Sequence, residues 1–219
     1  MDSETLLQIK RNGFWFVDIP RTSSSSIKVE LGKAYGPPYG KSNLIESEFS
    51  TKQTIPDHIP AIYMRKHLGL ESWNGLYTFT FVRNPWDRMV SMYFYRLLKG
   101  HYSEDLTFKE YILQLKSLAD GHQSVLFNYY AFYLGCCDYI FDGETSLVSY
   151  IGRYENREND IQKISSYLKC ADLGKVCLQR STNKSMHYSY YYDDETEDIV
   201  RRLYRKDIER FDYKFESRQ

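Results

Sequence analysis

Residues 76–98 leave the chain little conformational choice. Residues 76–82 form an apolar run rich in β-formers, and Asn84-Pro85 interrupts it. Beyond Pro85 an apolar stripe at helical spacing runs through Met89, Tyr93 and Leu97 beside Val90, Phe94 and Leu98. A strand must therefore turn directly into a helix. Asn84 suits the N-cap, and Pro85 the first helical position, where its missing N–H costs nothing. An arginine leaving the strand end, Arg83, and a serine two turns into the helix, Ser91, can converge on one anion beside the helix N-terminus.

A second turn of this kind lies earlier. Residues 13–19 read as a buried strand that Pro20 ends, and Arg21, Thr22, Ser23, Ser24, Ser25 and Ser26 follow. A helix then starts near Ile27 and closes near Gly32. A serine run between a strand and a helix so close together has nothing to link, so an anion cradle is favoured over a flexible linker. The pattern G-x-x-x-x-G-K-[ST] is absent, and no glycine lies between Gly13 and Gly32. A nucleoside triphosphatase is disfavoured accordingly.

The remaining chain alternates in the same way. Helices are expected over 61–68 (ending at Gly69), 106–118, 123–134, 158–168 and 193–211. Strands are expected over 138–141 and 147–154, and polar loops over 35–53 and 177–189. Strands alternating with helices define an α/β fold with a mainly parallel sheet, here expected as a single domain over 1–219. Lys+Arg and Asp+Glu both number 29, so no global field favours nucleic acid or a membrane surface, and any anion site must be local. No apolar run approaches the roughly 20 residues that span a bilayer, and no signal peptide is visible. The cysteines Cys136, Cys137, Cys170 and Cys177 match no metal-ligand spacing, and the adjacent pair reads as small core residues in a reduced compartment. The expected location is cytoplasmic, with no metal. The 21 tyrosines suit amphipathic cleft walls or half-buried packing.

The two turns, residues 19–26 and 81–93, resemble the paired signature of sulfotransferases that use 3′-phosphoadenosine 5′-phosphosulfate (PAPS). The likeness is greatest to the branch of carbohydrate O-sulfotransferases and their bacterial relatives. It extends to residues 151–156, 191–196 and 204–213, and so over nearly the whole chain. It implies the parallel, P-loop kinase-like α/β sulfotransferase fold. It also implies that Arg21, Thr22, Ser23, Ser24, Ser25 and Ser26 cradle the 5′-phosphosulfate, and that Arg83 and Ser91 bind the 3′-phosphate. Tyr154 is implied near the adenine, with Arg180 and Lys184 on a loop closing over the donor. The family usually has lysine where this chain has Arg21; an arginine keeps the charge and forks onto sulfate oxygens, but it is bulkier and does not give up its proton.

Sulfuryl transfer also needs a base for the acceptor hydroxyl. Residues 57–61 resemble the family segment that carries a histidine, which makes His58 the candidate, since imidazoles titrate near neutrality. His67 and His122 are the alternatives, then Asp57; His101 and His187 read as surface residues. The expected function is a PAPS-dependent O-sulfotransferase acting on a carbohydrate or small-molecule hydroxyl. The rivals are a small-molecule or nucleotide kinase and a catalytically silent nucleotide-binding module.

Overall fold

The structure is a computed structural model that describes residues 3–36, 39, 58–120, 133–170, 173 and 186–217. In chain order its elements are α1 (Ser3–Asn12), β1 (Phe14–Phe16), α2 (Ser24–Tyr35), α3 (Ala61–Leu68), α4 (Leu70–Asn74), β2 (Tyr77–Val82) and α5 (Pro85–Leu98). They continue with α6 (Phe108–Ala119), α7 (Cys136–Ile140), β3 (Phe141–Asp142), β4 (Thr145–Ser146), β5 (Tyr150–Arg153) and α8 (Arg157–Leu168). The last are α9 (Asp194–Leu203) and α10 (Arg205–Phe211), with 3-10 turns at Tyr154–Asn156 and Tyr188–Tyr191. The chain divides into two compact units, Met1–Val82 with Asp138–Leu178, and Arg83–Cys137 with Gln179–Gln219.

The first unit is the α/β layer. Its sheet has the order β1-β2-β5, parallel throughout, with Phe16 opposite Phe79 and Phe81 opposite Gly152. Parallel neighbours need long crossovers, which is why strands so far apart in sequence are adjacent here. The mainly parallel sheet expected from the sequence is present, accompanied by helices. α1 packs on β1 and α8 on β5. Ile9 of α1, Ile27 and Leu31 of α2, Met64 of α3 and Ile161 and Ile164 of α8 are buried, as are Phe14, Phe16, Phe79 and Phe81 from the strands. The ladder extends past β1, because the Val17 N–H donates to the Phe79 carbonyl (2.8 Å) and the Thr80 hydroxyl to the Val17 carbonyl (2.7 Å). The chain leaving β1 is thus tied to β2 through both backbone groups of Val17.

Gly152 is required by packing. A β-carbon there would lie 2.6 Å from the ring of Phe81, its partner across the β2–β5 ladder. Gly152→Ala is expected to destabilise the chain by about 1–3 kcal/mol through overpacking. Urea unfolding should show a lower midpoint at unchanged slope; an unchanged midpoint would mean that Phe81 yields freely.

The second unit is helical. α5, α6 and α9 pack on one another, and α10 packs on α9. Trp86, Met89, Val90 and Met92 of α5 and Tyr111, Ile112 and Leu115 of α6 are buried. Tyrosines serve this core with both ends: Tyr204 donates to the Tyr133 carbonyl (3.1 Å) and Tyr192 to the Trp86 carbonyl (2.9 Å), while their rings pack. The Tyr188 hydroxyl accepts the Glu216 N–H (2.7 Å). Packing therefore accounts for Tyr188 and Tyr192, whereas Tyr190 is exposed.

Four expectations need correction. α2 runs past Gly32 to Tyr35, because the stop is Gly36, at φ 70°, whose N–H returns to the Gly32 carbonyl. Residues 136–140 are helical where a strand was expected over 138–141. The N–H groups of Cys136 and Cys137 are taken by the buried carboxylate of Asp207 (2.6 and 2.8 Å), which caps that helix from far along the chain. The expected helix over 193–211 breaks at Tyr204, at φ −110° and ψ 28°, into α9 and α10. Finally, residues 3–12 form a helix with no counterpart among the expectations, anchored by fully buried Ile9. The expected helix over 123–134 lies outside the described residues except at its end.

Candidate active site

The sheet unit carries the first group of candidates. Residues 17–23 leave β1 and enter α2 through two left-handed residues, Arg21 (φ 66°) and Ser23 (φ 75°). That conformation costs a residue with a β-carbon roughly 1–2 kcal/mol. Among the described residues five non-glycines have positive φ, and His58 (φ 61°) is another of them. Backbone strain of this kind concentrates at working sites. Thr22 sits between the two strained residues, fully buried, its hydroxyl donating to the Ile19 carbonyl (2.9 Å). The threonine thus clamps the loop in its bent form.

The helix that follows is open to an anion. Ser23 is its N-cap but makes no side-chain capping bond, and its first turn holds no acidic residue. α6 and α9, by contrast, have complete capping boxes and acidic first turns. The positive end of α2 therefore points at the loop without a carboxylate of its own to offset it. Ser24 and Ser26 are buried there, while Ser23, Ser25 and Arg21 are half-buried.

His58 belongs to the same unit and is half-buried. Its Nδ1 lies 3.2 Å from both the backbone oxygen and Oδ1 of Asp18. The other carboxylate oxygen of Asp18 is 2.5 Å from Lys28 Nζ on α2. Burial works to raise the Asp18 pKa, but the adjoining His58 and Lys28 outweigh it and hold the carboxyl well below the usual carboxylate range. A depressed folded-state pKa gives stability that is present above the unfolded pKa and lost as pH falls through the folded one. The stability advantage of the wild type over Asp18→Asn should therefore shrink below about pH 4. Urea midpoints of the two proteins at neutral and acid pH measure this; a constant difference would contradict it.

Tyr154 is half-buried and opens the 3-10 turn after β5. That turn is held by Asp160, which accepts from the Arg153 N–H (2.8 Å), the Tyr150 hydroxyl (2.8 Å) and Asn156 Nδ2 (3.3 Å).

The helical unit carries Arg83 and Ser91. Asn84 caps α5 as expected, its Oδ1 accepting from the Trp86 N–H (3.1 Å), and Pro85 takes the first turn. Arg83 is nearly buried, with Nε and Nη2 both 2.7 Å from Oδ2 of Asp87. Ser91, one further turn along α5 from Asp87, is buried. Neighbouring Arg88 is fully buried and donates to the Leu134 carbonyl (2.9 Å), which makes it structural. Burial pushes the Cys136 thiol up to about 12, as expected of an inert core residue.

The structure thus groups the 21–26 loop and His58 with Asp18 and Lys28 in one unit, and Arg83 with Ser91 and Asp87 in the other. Asp18, Lys28 and Asp87 were not among the sequence candidates. Asp87 alone had a local signal, four residues from Arg83 on one helical face. His67 and His101 are exposed, and His187 accepts the Ser189 N–H to cap the 3-10 turn. Asp57, His122, Arg180 and Lys184 lie outside the described residues. Among the described residues no group of His, Cys, Asp and Glu could hold a metal ion, and no helix is long and apolar enough to cross a membrane.

A parallel α/β sheet whose first strand turns through a strained, hydroxyl-rich loop into an uncapped helix is an arrangement that suits a phosphate-type anion. The family model described as Sulfotransferase family matches residues 6–214, and the chain belongs to that family. It is therefore a transferase of sulfuryl groups. Neither the curated proteins nor the solved structures gave a significant match.

Proposed function

We propose that this chain is a PAPS-dependent O-sulfotransferase. The observation that carries the reading is the family match, which spans both phosphate-type turns. The residues suit the donor: α2 offers an uncapped N-terminus with a serine-lined first turn. Arg21 and Ser23–Ser26 would hold the 5′-phosphosulfate, with Thr22 fixing the loop. Arg83, oriented by Asp87, and Ser91 would hold the 3′-phosphate, Tyr154 the adenine, and Arg180 and Lys184 would cover the donor. When bound, PAPS supplies an activated sulfuryl group to an acceptor hydroxyl.

The chain's own residues do the rest. The positive end of α2 and the Arg21 guanidinium stabilise negative charge that grows as transfer proceeds. His58 takes the proton of the acceptor hydroxyl. Arginine serves electrostatically where the family usually has lysine, because it holds its charge throughout. Equal numbers of acidic and basic residues favour a sugar or small-molecule acceptor over a long polyanionic chain. A cytosolic setting fits the free, buried thiols of Cys136, Cys137 and Cys170. Mass-spectrometric screening of hydroxyl-bearing acceptors with isotopically labelled PAPS tests the reading. A product heavier by one labelled sulfuryl group is expected, and no transfer to any acceptor would count against it.

A further inference from the structure

We propose that Asp18 is a positioning residue that fixes the tautomer of His58, so that Nε2 is the atom that accepts the proton. The functional part rests on the sulfotransfer reading above; the tautomer follows from the geometry alone.

Nδ1 of His58 faces two oxygens of Asp18, the backbone carbonyl and Oδ1, each at 3.2 Å. A carbonyl and an ionised carboxylate only accept hydrogen bonds. The carboxylate is ionised, since Lys28 Nζ sits 2.5 Å from its other oxygen. A ring nitrogen held between two acceptors must carry the hydrogen, because a lone pair there would meet two electron-rich oxygens with nothing between them. In the neutral imidazole the lone pair then resides on Nε2.

The support is rigid. Asp18 is buried and follows Val17, whose N–H and carbonyl are both bonded to β2. Lys28 anchors the carboxylate from α2, so its orientation does not depend on the charge of His58. The left-handed backbone of His58 is unfavourable by itself, and these contacts offset it. During proton transfer the hydroxyl O–H bond breaks, its electron pair stays on oxygen, and the Nε2 lone pair bonds the proton. The ring becomes a cation on Nδ1's side of an existing carboxylate, which stabilises it without movement.

The decisive measurement is the long-range ¹H–¹⁵N spectrum of the ring nitrogens in the labelled protein. Five histidines give a tractable spectrum, and His58→Gln assigns the resonance. In its neutral form the His58 ring should carry its hydrogen on Nδ1. Asp18→Asn, whose amide can donate to Nδ1, should shift the ring toward the Nε2–H form. The same variant should lower kcat by roughly 10²-fold with product-nucleotide affinity unchanged. In a His58→Ala background it should cost nothing more. An Nε2–H ring in the wild type would overturn the assignment, and an Asp18→Asn ring that keeps the wild-type tautomer would give the tautomer to the Asp18 backbone carbonyl and overturn the role of its carboxylate. Full turnover of His58→Ala would instead overturn the base reading and with it the catalytic use of Asp18, whatever tautomer the spectrum shows.

Discussion

His58→Ala is expected to lower sulfotransfer turnover by on the order of 10²–10⁴, the usual loss when a positioned base is removed. Affinity for adenosine 3′,5′-bisphosphate should not change, because the imidazole is proposed to act on the acceptor rather than on the nucleotide. The ring has the attributes of a base: it is half-buried, its Nδ1 is held by Asp18, and its backbone is kept in a costly conformation. His67 and His101, by contrast, are exposed. Steady-state kinetics with an identified acceptor, beside calorimetry with the bisphosphate, separate the two effects. Near-normal turnover in His58→Ala would move the base elsewhere.

Arg83→Ala should cripple nucleotide binding selectively. Its guanidinium lies against Asp87, so the substitution removes a cation and leaves a carboxylate where the 3′-phosphate is proposed to sit. The lost charge-assisted bond is worth about 1.5–3 kcal/mol. Affinity for adenosine 3′,5′-bisphosphate should fall by roughly tenfold to a hundredfold, while adenosine 5′-phosphate binds almost as before. Arg83→Ala with Asp87→Asn should regain part of the loss by removing the carboxylate's repulsion. Breaking a buried pair also costs about 3–5 kcal/mol of stability, so circular dichroism on the same samples must show a folded protein. Equal losses for both nucleotides would contradict the assignment to the 3′-phosphate.

What the sequence reveals follows the range of the forces involved. The turn at Asn84-Pro85 is legible because an N-cap and a proline act within one turn, and the structure has both. α3 begins and ends where a helical run before Gly69 says it should. The helix at 136–140 is not legible, because Asp207 caps it from another part of the chain. Tyr204 breaks the terminal helix for a similar reason: its ring is buried and its hydroxyl bonds the distant Tyr133 carbonyl.

The same division holds at the candidate site. Arg21–Ser26 and Arg83 with Ser91 stand out as local turns, and His58 through resemblance. The contacts of Lys28 with Asp18 and of Asp18 with His58 join three separated stretches and leave no periodic trace. The strain at Arg21 and Ser23 is also hidden, since neither residue type announces a left-handed backbone as glycine does.

Isothermal calorimetry with adenosine 3′,5′-bisphosphate, PAPS and ATP, followed by assay for labelled sulfate transfer, bears most directly on the central claim. Tight binding of the bisphosphate and PAPS, weak binding of ATP, and turnover with a hydroxyl acceptor are expected. A preference for ATP would point to a kinase, and nucleotide binding without transfer to a silent module; either result would contradict a PAPS-dependent sulfotransferase.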